Sequence, residues 1–241
     1  MLLERYWQAV DGLLEKIRST QWENIERAGI AVANAVMSGG NVYLHRIVHG
    51  IEYDLIYRGG GPIFYKPFSY NLAIDNTGRK RDGFERKEGA AAAYALDNSD
   101  IRRGDVLFVS SVSGRTRDVV ELAYEAEKRG ITVIALTSME YASTVDPVHS
   151  SGKKLYEMAS ITLDNCAPKA EAMLDVEGIE AKFAAASGIA SDYIMWSLTS
   201  VAVEHMLSQG KTPGILKSAN FPGGNDYNKT VIEPGYAKNG Y

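Results

Sequence analysis

Residues 105–123, "DVLFVSSVSGRTRDVVELA", decide the fold. An apolar run of strand length, Val106–Ser110, leads through Ser111, Val112, Ser113, Gly114, Arg115 and Thr116 straight into a helical pattern over 117–129. A second apolar run follows at 131–136. A strand, a tight polar loop, a helix and another strand make a crossover between parallel strands. In such a sheet the ligand crevice lies beyond the carboxyl ends of the strands, where "SSVSGRT" sits.

Outward from this unit the alternation continues. Strand-like runs at Val42–His45 and 63–66, with helices from about His49 and about Arg86, precede it, and a weaker strand at 161–163 follows. Alternating strands and helices predict a three-layer α/β/α sandwich around a parallel sheet. The helix expected at 188–209 is apolar on most sides and should be buried. Near the N-terminus, Leu3, Trp7, Val10, Leu14 and Ile17 draw one apolar stripe, which packs either on the chain's own body or on a second subunit. Thr20, with Glu23 three residues on, reads as the start of a second helix that runs to Met37 and closes at Gly39 and Gly40. After Gly210 the clusters of Pro, Gly and Asn read as ordered loop or as an arm over a neighbour.

The 241 residues, 45% hydrophobic and 23% charged, describe a globular chain that can bury a core. A net charge of -4 argues against a general nucleic-acid binder. A single cysteine, Cys166, rules out an intrachain disulfide and fits a reducing, cytoplasmic setting. Charges interrupt every apolar run near the N-terminus, unlike a signal peptide, and no segment approaches the length of a membrane span.

The polar loop itself suggests an anion site. A helix start presents free N–H groups and partial positive charge. Ser111, Ser113 and Thr116 add hydroxyls, and Gly114 allows close backbone approach, which together make a phosphate cradle. The plain alternative is that Ser and Thr cap the helix while Gly makes the turn. The loop has neither the Lys-Ser/Thr ending of a P-loop nor the spacing of a dinucleotide fingerprint, so ATP and NAD are poorly supported and no cofactor is expected.

The segment "FVSSVSGRTRDVVELAYEAEKRGITVIALTS" resembles the signature of SIS (sugar isomerase) domains: strand, Ser-x-Ser-Gly-x-Thr, helix, Gly, strand. "IDNTGRKRDGFERKEG", "HSSGKKLYEMASITLDNC" and "GGNDYN" are similar to uncharacterised bacterial SIS proteins related to phosphoheptose isomerases and N-acetylmuramic acid 6-phosphate etherases. The resemblance spans roughly residues 20–230. It implies a single SIS domain of flavodoxin-like architecture with a five-stranded parallel sheet, dimeric or larger, that binds a sugar phosphate. The expected division is N-terminal helices at 1–38, the SIS domain at 39–210 and a tail at 211–241 packed on the domain or on a neighbouring subunit. By the matched motif, Ser111, Ser113, Thr116 and the Gly114 amide would grip the phosphate, and Thr137 and Ser138 would line the crevice. The chain departs from the family where a Gly-rich loop usually follows the first strand: here the sequence is "LHRIVHG", with His45, Arg46 and His49.

Isomerising or cleaving a sugar phosphate needs a base beside a carbonyl and a second group to move protons on oxygen. Glu88, at a helix start facing the crevice, is the preferred base, against the plain reading of a charged first turn. Asp54, with Glu52 nearby, falls where phosphoheptose isomerases carry a catalytic Glu. His49 suits acid–base work near neutral pH, or is simply a hydrogen-bonded structural histidine. His45 and His49 lack a third ligand, so no metal is expected. The catalytic histidine of the last helix in phosphoheptose isomerases has no counterpart, Ser200 being nearest its place. Cys166 reads as a buried inert thiol. The basic run Arg79, Lys80, Arg81, Arg86 and Lys87 is either a solvated loop or a reach toward the phosphate. The competing functional class is a phosphosugar-binding or sensing module without catalysis.

Overall fold

The computed structural model describes residues 1–72, 78–79 and 89–241. Its centre is a five-stranded sheet in the order β2-β1-β3-β4-β5. The strands are β1 (Val42–His45), β2 (Tyr65–Pro67), β3 (Val106–Ser110), β4 (Thr132–Thr137) and β5 (Ile161–Asp164). All run parallel, with Val42 beside Val106, Val106 beside Thr132 and Ile134 beside Ile161. Every residue of β3 is buried, as a strand covered on both faces requires. Chain order reverses between β1 and β3, because β2 lies outward on one side and β4 and β5 on the other. In parallel sheets such a reversal is where a ligand crevice lies, at the carboxyl ends of the two strands.

Two helical layers cover the sheet. On one face, α1 (Leu2–Met37) and α5 (Ser187–Ser208) pack with Leu44, Phe108 and Leu136 into one core. On the other, α2 (Ala90–Asp97) and α3 (Arg117–Lys128) pack on Leu107, Val109 and Val133. The three-layer sandwich and its five parallel strands are as the sequence implies.

The N-terminal region differs from expectation. Residues 2–37 form one helix of 36 residues, with no second start at Thr20. Ser19 Oγ donates to the Glu15 carbonyl at 2.9 Å and Thr20 Oγ1 to that of Lys16 at 2.7 Å. Both hydroxyls therefore bond back onto the preceding turn and cap nothing. The apolar stripe divides: Leu13 and Ile17 are buried, whereas Leu3 and Trp7, in the first two turns, remain 51% and 56% exposed. Where α1 meets α5 the approach is close at Gly29, where an added Cβ would lie 2.6 Å from the Leu198 carbonyl oxygen.

α5 also meets the sheet through a polar contact. Buried Tyr65 Oη and Thr199 Oγ1 are 2.8 Å apart, and Thr199 Oγ1 donates to the Met195 carbonyl at 2.6 Å, so the phenol is the donor between them. Burial, its largest cause, pushes the Tyr65 pKa upward and keeps it a donor. Thr199→Val should then cost more than Tyr65→Phe. The first leaves a buried phenol unpaired, at about 1–3 kcal/mol; the second removes one neutral bond worth about 1 kcal/mol. Urea unfolding midpoints of the two variants would check the order.

Short elements that the sequence concealed complete the fold. β6 (Ala172–Leu174) and β7 (Phe183–Ala185) form a separate antiparallel ribbon, and α4 (Met139–Ala142) follows β4. The tail is largely helical, with α6 (Gly224–Tyr227), a π turn at Asn228–Ile232 and α7 (Glu233–Asn239). It is joined to the chain's own body: Gly60 N donates to the Leu216 carbonyl, Leu216 N to that of Gly61 and Ile63 N to that of Gly214, at 2.8–2.9 Å. Lys66 Nζ sits 4.0 Å from the centre of the Tyr236 ring. No helix among the described residues is long and apolar enough to cross a membrane.

Candidate functional site

The loop after β3 reaches the crevice at the point of reversal, and its geometry follows from its glycine. Gly114 has φ +65, and a Cβ there would sit 3.1 Å from both Ala142 Cβ and Thr137 Oγ1. Only glycine fits without strain. The loop is then tied down from beneath. Thr137 Oγ1 donates to the Ser111 carbonyl at 2.7 Å, Ser138 N to that of Val112 at 3.0 Å, and Leu155 N to that of Gly114 at 2.8 Å. Thr137 and Ser138 are wholly buried, and Ser138 Oγ donates to the Ala167 carbonyl at 2.6 Å. Their hydroxyls are thus engaged in bracing the loop.

The capping alternative can be tested directly. Thr116 is the N-cap residue of α3, yet its side chain makes no capping hydrogen bond. Its hydroxyl instead lies 2.9 Å from Ser111 Oγ. Ser113 is half-buried and Thr116 exposed. The start of a 12-residue helix whose N-cap residue makes no side-chain capping bond, with hydroxyls gathered beside it, suits an anion.

The facing wall is the segment after β1. Arg46, Val48 and His49 have φ of 43, 23 and 55, values that glycine ordinarily takes. The backbone therefore follows a glycine-like path while carrying full side chains. His45 is buried; its Nδ1 is 2.8 Å from the Phe68 carbonyl and its ring stacks on Tyr70. Burial lowers the His45 pKa, so the ring is held neutral with Nδ1–H donating. Burial, with Glu121 and Asp118 of α3 adding to it, pushes the Tyr70 pKa up to about 12.

A pH dependence follows from His45. The unfolded ring takes a proton near its ordinary value of about 6.5, above the folded one, so unfolded chains bind more protons in that window. Stability should be full above pH 6.5 and fall as pH drops below it. His45→Asn, whose Nδ2 can replace the Nδ1–H donor, should flatten this decline between pH 7.5 and 5.5 in urea unfolding.

The remaining candidates separate. His49 is exposed, with Nε2 3.6 Å from Glu171 Oε1, and Glu171 in turn holds Ser187 at the start of α5. Asp54 is exposed and ion-paired to Arg58. Glu52, two residues earlier in the 3₁₀ turn Val48–Asp54, is buried. Glu88 lies outside the described residues, as do Lys80, Arg81, Arg86 and Lys87. Ser200 is exposed and bonded to the Trp196 carbonyl, in the fourth turn of α5. Cys166 is buried, and burial followed by the Asp164 charge raises its thiol pKa, which leaves it unreactive. Among the described residues no three His, Cys, Asp or Glu side chains converge to hold a metal.

A separate open cleft of about 350 Å³ runs along β5, lined by Gln21, Asn24, Arg27, Ser160 and Asp164 among others. Several of its polar groups already serve the fold: Arg27 donates to the Ser160 carbonyl and Gln21 Oε1 accepts from Asp164 N. The crevice, with its uncapped helix start, is the better candidate.

Comparison with known proteins bears on the family and the fold. A family model described as "SIS domain" matches residues 5–138. "UPF0309" proteins of Geobacillus sp. (strain WCH70) and Streptomyces griseus are 31% and 34% identical, over 96% of this chain and 95% and 94% of theirs. Among solved structures, phosphoheptose isomerase from Neisseria gonorrhoeae has a TM-score of 0.54 at 16% identity, covering 86% of this chain and all of the other. The Vibrio vulnificus NanR protein complexed with ManNAc-6P also has a TM-score of 0.54, at 18% identity, covering 97% of this chain and 70% of that one. With a matching family model and relatives aligned along nearly the whole chain, this protein belongs to the SIS domain family.

Proposed function

We propose that this chain binds a phosphorylated sugar at the β1/β3 crevice and interconverts its aldose and ketose forms, or carries out a related elimination. The observation that carries the reading is the loop 111–116, which brings Ser113, Thr116 and the uncapped start of α3 together at the reversal of the sheet. The phosphate rests on these hydroxyls and amides, with the Gly114 backbone close against it. Thr137 and Ser138 set the floor. The names of the two similar structures, a phosphoheptose isomerase and a protein complexed with ManNAc-6P, support a phosphosugar as the ligand class.

Proton transfer falls to the carboxylates and imidazole around the sugar, with Glu88, His49 and Asp54 as candidates. One of them removes the proton from the carbon beside the carbonyl and returns it to the neighbouring carbon, so no net proton is consumed. The protein acts in the cytoplasm as a homodimer, in which a second copy covers the exposed Leu3 and Trp7 of α1. No cofactor, nucleic acid or membrane takes part.

A second reading, binding and sensing without turnover, is favoured by the bulky His45, Arg46 and His49 in place of a glycine-rich wall. Incubation with sugar phosphates in heavy water separates the two. Isomerisation exchanges the proton beside the carbonyl and deuterium enters that carbon, detected by NMR. A sugar phosphate that binds without deuterium uptake would favour sensing.

A further inference from the structure

The two edges of the sheet are covered differently. Just before β2 the tail runs alongside the chain, with Ile63 N donating to the Gly214 carbonyl and Pro62 bridged to Ile215. β5 is the opposite edge strand, and no strand lies beside it among the described residues. An edge strand presents main-chain N–H and C=O groups that an added strand can pair. α1 lies along β5 instead, tied to it near both ends: Arg27 Nη2 donates to the Ser160 carbonyl at 2.9 Å, and Gln21 Oε1 accepts from Asp164 N at 3.1 Å. The open cleft of about 350 Å³ lies along these ties.

The cleft carries opposite charges at its two ends. Arg27 stands beside Ser160 and Asp164 at the far end of the strand, with Asn24 between the ties on α1 and Thr162 between them on β5. Backbone fixes both charges: Arg27 is bonded to the Ser160 carbonyl, while Asp164 Oδ1 accepts from Met139 N at 3.0 Å and from Cys166 N at 2.8 Å. A guanidinium has five N–H donors and a carboxylate a second oxygen, so each keeps capacity for a ligand. The rise from Gln21 to Arg27 along α1 is about 9 Å, and from Ser160 to Asp164 along β5 about 13 Å. An extended peptide covers about 3.3–3.6 Å per residue, so about three residues bridge the two charges. The plain reading is that α1 side chains seal an edge that would otherwise pair with other chains. It accounts for the ties at both ends, but not for an open space between opposite charges.

We propose that this cleft receives a short free peptide of about three small residues, laid antiparallel to β5 as a further strand, with its carboxylate on Arg27 and its ammonium on Asp164. Main-chain pairing with the strand edge supplies affinity, and the two end charges select length and direction. The volume is near the lower end for ligand sites, about 300–1,000 Å³, which favours side chains no larger than those of Gly, Ala or Ser. β4 stands between β5 and the β1/β3 crevice. Peptide and phosphate therefore occupy separate places and bind independently.

The test titrates the full chain by calorimetry with trialanine, N-acetyl-trialanine, trialanine amide and free alanine. Trialanine should bind with a dissociation constant of about 1 mM or tighter. Capping either terminus should weaken it about tenfold, the loss of one charge-assisted bond. Two variants then assign the ends. Arg27→Gln should bind trialanine and its amide equally, and Asp164→Asn, whose Oδ1 still accepts from the Met139 and Cys166 amides, should bind trialanine and its acetylated form equally. The capped peptides on wild type decide the matter even if a variant folds poorly. Saturating inorganic phosphate should leave the trialanine affinity unchanged; competition between them would place the peptide in the crevice and overturn the proposal. Indifference to both caps, equal binding of free alanine, or no binding of trialanine would each overturn it as well, leaving Gln21 and Arg27 as a seal on the strand edge.

Discussion

A chain carrying both Ser113→Ala and Thr116→Ala should fold normally and bind its sugar phosphate about a hundredfold more weakly. A hydrogen bond to a charged group is worth about 1.5–3 kcal/mol, and each 1.4 kcal/mol is tenfold in affinity. Losing two such bonds exceeds a hundredfold if they act independently; remaining amide contacts reduce the loss. Stability should change by no more than about 1 kcal/mol, because Thr116 is exposed, Ser113 is half-buried and, among the described residues, the side-chain bond broken is the one to Ser111. Calorimetry beside a urea melt measures both quantities on one preparation. A variant that binds as tightly as wild type would show that the phosphate sits elsewhere.

The second large effect concerns the fold. Gly29→Ala should destabilise the protein, although alanine is the better helix former by about 0.8–1 kcal/mol. The new methyl would meet the Leu198 carbonyl oxygen at 2.6 Å and Val201 Cβ at 2.7 Å. Neither neighbour is the free end of a flexible side chain, so α1 and α5 must move apart. Overpacking of this kind costs about 1–3 kcal/mol, which outweighs the propensity gain. The expected result is a lower urea midpoint with an unchanged slope. Gly12, nearer the start of α1, has nothing within 4 Å of its would-be Cβ. Gly12→Ala should therefore be neutral or mildly stabilising, and it serves as the internal control.

The parts of the fold that were legible in the sequence are those written in long or uninterrupted apolar patterns. β3 is buried on every residue and α3 follows it without pause, so both were plain, as was the 22-residue α5. Thr20 misled because a hydroxyl followed by Glu23 can cap a new helix or bond back along an old one. The continuous buried face from Leu13 to Val36 decided for the second. The three-residue strands β6 and β7 carry too little periodicity to be seen. In the tail, Pro and Gly suggested loop, but Pro at a first helical turn is well tolerated, and α7 begins with Glu233-Pro234.

At the site, the Ser-Gly-Thr loop was readable because glycine and short hydroxyls have a local purpose there. The roles of Thr137 and Ser138 were harder to see, since bracing from beneath and lining a pocket call for the same residue types. The standing of Glu52 was invisible for another reason. Its burial depends on packing of its turn against α5, which is more than 130 positions away along the chain.

The most direct measurement is a thermal-shift panel on the wild-type chain, comparing sugar phosphates with the matching free sugars, inorganic phosphate, ATP and NAD. Ligand at a hundred times its dissociation constant adds about 2.7 kcal/mol to stability, a shift of several degrees. The account predicts that at least one sugar phosphate raises the melting temperature while its free sugar, ATP and NAD do not. Stabilisation by a free sugar as strong as by its phosphate, or by ATP or NAD alone, would contradict it.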